Sequence, residues 1–142
     1  MSLPLHSADS RYAWTRLMVT LALMTIGSGA MWVIPVVLPA VQAEFGVARA
    51  DASLPYTAMM IGFGVGGIWM GRLADRRGVM WPTMVGAAGL ALGFFAAGVS
   101  GGIISFSLAH GVLLGVFGAS AMFAPLVADT SLWFVKRRGI AV

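Results

Sequence analysis

The sequence predicts an all-α membrane protein with four transmembrane helices and the start of a fifth. Three observations lead there. The chain is 59% hydrophobic and only 10% charged, where soluble domains carry about 25% charged residues. Its mean hydropathy is +0.91. Its charges also fall in short clusters separated by uncharged runs long enough to cross about 30 Å of hydrocarbon. A net charge of +4 could suggest nucleic acid, but basic clusters beside apolar runs are the pattern that orients a membrane protein, and no nucleic-acid partner is expected. With no cysteine in 142 residues, disulfide and thiolate chemistry are excluded. The 19 glycines suit helices that pack closely in lipid through small residues.

Residues 1–16 form a polar tail with Asp9, Arg11 and Arg16. The apolar run that follows exceeds the 7–15 residues of a signal-peptide core, so it is expected to remain in the membrane. The first helix is expected over 17–43, with Pro35 and Pro39 kinking its second half; each lacks an N–H and frees a carbonyl four residues back. Gln42 to Asp51 make a first outside loop, and Asp51 is placed to cap a second helix by accepting from backbone N–H groups. That helix is expected over 52–71, with Pro55 in its tolerant first turn. Gly62/Gly66 and Gly67/Gly71 are small residues one turn apart and offer a groove to a close helix partner.

The uncharged stretch 78–128 is too long for one helix, since about 20 residues suffice. Gly98-Val99-Ser100-Gly101-Gly102 is the expected break. This gives a third helix over 82–99, opened by Pro82, and a fourth over 103–128, kinked near its end by Pro125. Asp129, Lys136, Arg137 and Arg138 return the chain to the charged face, and 139–142 reads as the start of a fifth helix. Only Arg49 lies on the opposite side from the other basic residues. The positive-inside rule then puts the N-terminus and both basic clusters in the cytoplasm, with the chain in the cytoplasmic (plasma) membrane.

The densest charge cluster is Gly71-Arg72-Leu73-Ala74-Asp75-Arg76-Arg77-Gly78. Its arginines each cost about 2.5–3.5 kcal/mol at a helix centre, so the stretch marks a membrane face and is expected to be a short loop. Its order (Gly, basic, Leu, small, Asp, basic, one residue, Gly) resembles the loop between the second and third helices of the major facilitator superfamily of transporters. Val79, Met80 and Trp81 follow where that family usually has further basic residues. Trp133-Phe134-Val135-Lys136-Arg137-Arg138-Gly139-Ile140-Ala141 resembles the start of the fifth helix in the monocarboxylate-porter-like and oxalate–formate-antiporter-like branches. Gly111, Gly115, Gly118 and Pro125 are similar to the fourth helix of those branches. Phe45-Gly46-Val47 and Ala50-Asp51-Ala52-Ser53 are similar to their first outside loop.

The resemblance implies a twelve-helix secondary transporter in two halves of six, working by alternating access, with substrate held between the halves. On that basis the chain is the N-terminal portion, is not expected to transport alone, and has the missing C-terminal helices as partners beside the lipid bilayer and a small-molecule substrate. The resemblance also makes Gly71, Arg72, Asp75, Arg76 and Gly78 a cytoplasmic gating loop that meets the basic loop at Lys136, Arg137 and Arg138. It further implies that the first and fourth helices line the cavity.

His110 is the one titratable side chain within the apolar interiors apart from Tyr56 near one end. Ionisable groups at membrane depth are functional candidates, and histidine can carry a proton or meet an anion near neutral pH. The bland alternative is a neutral histidine bonded to a neighbour such as Ser107 or a carbonyl. Leu114, Phe117 and Ala121 share its face at helical spacing, and Thr25, Ser28 and Trp32 form a modestly polar face on the first helix. His110, Phe117, Thr25, Ser28 and Trp32 are the candidate substrate or proton pathway. A mostly apolar cavity of this kind would suit a monocarboxylate or other small organic anion.

Two other classes compete. One is a self-contained small four-helix membrane protein, either a drug exporter or a structural membrane subunit. Small exporters of that kind use a carboxylate in the first helix, and 17–43 has none. The other is a membrane enzyme built on Ser107, His110 and Asp129. Asp129 would lie more than about five turns from His110 on one helix, too far for a triad, so no enzymatic activity is expected. No cluster of residues suggests a metal or a cofactor.

Overall fold

A computed structural model describes residues 10–134 and 138–141. Its elements are α1 (Arg11–Phe45), α2 (Arg49–Ala52), α3 (Leu54–Arg77), α4 (Met80–Gly98), α5 (Ile103–Leu108), a π-helical segment (Ala109–Ala119), α6 (Ala124–Trp133) and α7 (Arg138–Ala141). No strand occurs among the described residues.

The boundaries differ from expectation in instructive ways. α1 starts six residues before position 17, because the side chain of Ser10 accepts from the Ala13 N–H (3.2 Å) and caps the helix. Arg11 and Arg16 therefore ride on its opening turns. The helix runs through both Pro35 and Pro39, whose rings are exposed, and ends at Gly46 with φ 62°, its N–H bonded to the Gln42 carbonyl. Asp51 caps nothing: it lies inside the short α2, and the N-cap of α3 is Ser53, which makes no side-chain cap. Ser53 Oγ instead donates back to the Ala50 carbonyl (2.6 Å).

The charged stretch expected as a loop is helical up to Arg77. Charge forbids deep burial in lipid, but it does not forbid a helix, and Arg76 and Arg77 complement the negative end of the helix dipole. The stop is Gly78, at φ 82°, whose N–H bonds the Ala74 carbonyl (2.8 Å). The fourth helix is not continuous. It passes from α5 into the π segment, turns at 120–123, and resumes as α6 as far as Trp133. Lys136 and Arg137 lie outside the described residues, and Arg138 opens α7.

Three helices among the described residues are long and apolar enough to cross a membrane: Arg11–Phe45, Met80–Gly98 and the composite Ile103–Trp133. α3, expected as a fourth span, is long enough but falls short in hydropathy. Glycines at 62, 64, 66, 67 and 71 contribute no hydrocarbon side chain. Those same glycines let α3 lie against the π segment with backbones touching. A Cβ at Gly62 would overlap the Gly111 carbonyl, and one at Gly66 would overlap the Val116 carbonyl and come 2.6 Å from Ser120 Oγ. On the other side of the π segment, a Cβ at Gly89 of α4 would meet the Gly118 nitrogen at 2.9 Å. The π segment is thus the centre of the bundle, held between α3 and α4.

α1 packs more lightly, through a seam of Ala13, Leu17, Thr20, Gly27, Ala30, Ile34 and Val41, which recur at three-, four- and seven-residue intervals. The central core gathers Ala30, Met59, Leu90, Leu114, Ala119 and Met122. A second cluster joins Ala13 and Leu17 to Phe134 at the charged end.

Candidate functional site

At the charged end, Arg16 of α1 meets Asp129 of α6. Arg16 Nε donates to Asp129 Oδ2 (2.8 Å) and its terminal nitrogen to Oδ1 (2.9 Å). This is the paired geometry a guanidinium and a carboxylate are shaped for. The guanidinium also lies 4.9 Å from the ring centroid of Trp133. Tyr12 packs edge-on to Trp133 (5.4 Å), and Trp14 packs edge-on to Phe134 (5.3 Å). Sequence reasoning missed the pair. A signal was present: Asp129 is an acid at the edge of a run with no other charge from 78 to 135, and such a group needs a base nearby.

The expected gating residues lie at this same end. A cavity of about 740 Å³ is lined by Arg16, Asp75, Arg76, Gly78, Asp129 and Trp133 among others. A neighbouring one of about 610 Å³ is lined by Trp69, Arg72, Leu73, Arg76 and Arg77. Arg72, Asp75, Arg76 and Gly78 are exposed, and Gly71 is half-buried on the same helix. Among the described residues the ion pair at this end joins Arg16 to Asp129 and does not involve Asp75. Arg77 instead lies over Trp81, 5.5 Å from the ring centroid. A meeting of Asp75 with Lys136 or Arg137 falls outside the described residues.

The pathway candidates lie on two helices, Thr25, Ser28 and Trp32 on α1 and His110 and Phe117 on the π segment. Thr25 is exposed and donates to the Leu21 carbonyl (2.7 Å); Ser28 is half-buried and donates to the Thr25 carbonyl (3.0 Å). Trp32 is 63% exposed. Both hydroxyl donors are thus engaged within α1, which leaves their oxygens as acceptors. Phe117 is half-buried beside Gly89.

His110 is 1% exposed and stacks on Phe106 (4.3 Å), which in turn touches Phe45 of α1 (5.3 Å). Its Nδ1 lies 2.8 Å from the Phe106 carbonyl oxygen. A carbonyl only accepts, so Nδ1 carries a proton, and in the neutral ring Nε2 presents a lone pair. Leu114 and Ala121, expected to share a cavity-lining face with His110, are fully buried in the packing. The groove of about 570 Å³ between α3 and the fourth helix is lined by Ile61, Val65, Ile104, Ser107, Leu108 and Val112 among others, and by none of the five pathway candidates. Among the described residues no three His, Asp or Glu side chains converge on a possible metal position.

Apolar helices of bilayer length, glycine-mediated helix contacts and charge confined to their ends define an integral membrane protein of the helical-bundle class. A family-level comparison matches residues 17–142 to the Major Facilitator Superfamily, and the chain belongs to that family of transporters. Comparison with curated proteins gives no match.

Proposed function

We propose that these residues form the first four helices of a secondary transporter that moves a small organic anion, such as a monocarboxylate, by alternating access. The observation that carries the proposal is the face of α1 bearing Thr25 and Trp32. It is left uncovered although the adjoining seam at Gly27, Ala30 and Ile34 is packed. A substrate cavity between two halves needs such a face: exposed within one half, slightly polar, and facing the other half. His110 and Phe117 are the proposed contributions of the fourth helix, with a proton as the proposed coupling ion. The stretch from Gly71 to Gly78 and the basic residues Lys136, Arg137 and Arg138 are the proposed cytoplasmic gate.

The full-length protein in proteoliposomes, offered a panel of radiolabelled short-chain carboxylates with and without a pH gradient, is expected to accumulate at least one of them. Replacing Ser28 and Trp32 with Ala should lower that uptake by about tenfold, or about 1.4 kcal/mol of lost interaction. Uptake of cationic or neutral solutes alone would displace the anion reading. No uptake of any solute would sink the transporter reading.

The proposed orientation has the charged end in the cytoplasm. Single cysteines at Ala48 and Gly101 are expected to react with an impermeant thiol reagent in intact cells, and one at Met80 to react only after permeabilisation. Met80 is the better reporter than Gly78, because it is 72% exposed whereas Gly78 sits at φ 82° and would be strained by a side chain. Labelling of Met80→Cys but not Ala48→Cys in intact cells would invert the topology.

A further inference from the structure

We infer that α6 is a hinged arm, held shut against α1 by Arg16, and that the turn at 120–123 is its hinge. The backbone permits this. Phe123 leaves helical geometry, with φ −120° and ψ −76°, and Pro125 follows two residues later with no N–H to offer. The Ala121 carbonyl therefore has no helical donor from that position. Above the turn, the Ser120 N–H is tied to the Gly115 carbonyl (3.4 Å) and the Met122 N–H to the Ala119 carbonyl (3.2 Å). Below it, the Val127 N–H reaches back only to the Phe123 carbonyl (3.0 Å). Among the described residues, no backbone hydrogen bond joins α6 to the π segment.

The two sides of the turn share α3 as a neighbour but are held in different ways. The π segment is locked between the glycine faces of α3 and α4, where backbone meets backbone and nothing can yield. α6 also lies beside α3, and at its far end it is held by side chains of α1. Arg16 grips Asp129 through two hydrogen bonds and covers Trp133, while Tyr12 and Trp14 brace Trp133 and Phe134. All of these contacts come from the first two turns of α1, with Arg16 113 residues from Asp129 in sequence. The pair is only partly screened from water, with the side chains 29% and 17% exposed. It borders the 740 Å³ cavity whose opposite wall is the charged end of α3. Release of Arg16 would let α6 swing about 120–123 and open that cavity, while the upper bundle stays packed. The inference concerns the mobility of one segment and does not depend on which solute is carried.

These 142 residues contain no cysteine, so with any cysteines elsewhere in the full-length protein replaced, thiol labelling is a direct test. Thr130 on α6 is 5% exposed and Ser120 at the top of the hinge is fully buried, so Thr130→Cys and Ser120→Cys report the two sides. In permeabilised membranes carrying the full-length protein, both cysteines should label slowly with a maleimide. Adding Arg16→Gln, or separately Asp129→Asn, is expected to speed labelling at Thr130→Cys by about tenfold or more and leave Ser120→Cys protected, since labelling of a buried thiol reads the population of the locally open state. The exchanged pair, Arg16→Asp with Asp129→Arg, should slow Thr130→Cys labelling relative to either single change. Unaltered labelling at Thr130→Cys would show that the pair does not hold the arm. Equal acceleration at both cysteines would show that the pair supports the whole bundle and that 120–123 is no hinge. Either result overturns the inference.

Discussion

Gly62→Val is expected to abolish accumulation of folded protein, whereas Gly64→Ala, two residues away on the same helix, is expected to leave it unchanged or slightly raised. Both residues are helical glycines in α3. A side chain at 62 is driven onto the carbonyl oxygen of Gly111, with the Val116 nitrogen only 3.1 Å away. These are backbone atoms of the π segment, which is fixed on its other side by Gly89 and Gly93 of α4. Relief would need the helices to move apart along their whole contact. Overpacking of a rigid site costs about 1–3 kcal/mol and more where the backbone must shift, and about 1–2 kcal/mol already changes a folded population by a factor of about 5–30.

At Gly64, by contrast, nothing lies within 4 Å of the added carbon. Alanine there keeps its usual helical advantage of about 0.5–1 kcal/mol over glycine. Gly66→Val should behave like Gly62→Val, and Gly67→Ala like Gly64→Ala. Fluorescence-detected size-exclusion chromatography of detergent extracts, with a thermal ramp on the monomer peak, measures all four. Normal monomer with Gly62→Val would mean that α3 and the π segment do not meet face to face.

That contrast also shows what the sequence could convey. The repeat of Gly62 and Gly66 was legible as a helix-packing groove, and it is one. Gly67 and Gly71 carry the same spacing, yet a carbon added at either would meet no other part of the bundle within 4 Å. Spacing defines a smooth strip on a helix but not the rotation that decides which strip finds a partner. In the same way, the charges from Arg72 to Arg77 located an end of the bundle, while the helix itself stops one residue later, at the positive φ of Gly78.

The interrupted fourth helix had two visible ingredients, the glycines at 111, 115 and 118 and Pro125. The π segment fits against Gly62 and Gly66 on one side and Gly89 on the other, a match that no local pattern contains. Arg16 and Asp129 were each read as marks of a membrane face. Their pairing is a contact between the start of one helix and the end of another, and it needed the bundle to be seen.

His110→Phe is expected to accumulate like the parent protein and lose most of its transport, while His110→Ala should lose accumulation first. Two separate properties of the imidazole lie behind this. Its ring fills a site 1% exposed and stacks on Phe106 at 4.3 Å, with Phe45 behind. Truncation to Ala empties that site, and comparable large-to-small changes cost about 2–5 kcal/mol. Phenylalanine restores the volume and the stacking, so abundance should return, less the smaller loss of the bond to the Phe106 carbonyl, about 1 kcal/mol.

What Phe cannot restore is the Nε2 lone pair. Nδ1–H is committed to the Phe106 carbonyl oxygen, so Nε2 is the atom through which His110 can accept a proton or meet a donor on the substrate, and it has no partner among the described residues. A buried acceptor left bare is costly in a histidine kept for packing alone, which favours the proposed role in transport. Uptake per molecule by His110→Phe, measured from about pH 5 to 8, should fall by about tenfold and lose its dependence on pH. The same profile as the parent at normal abundance would make His110 a packing residue, and the proton or substrate contact would then have to be sought on the exposed face of α1 at Thr25, Ser28 and Trp32.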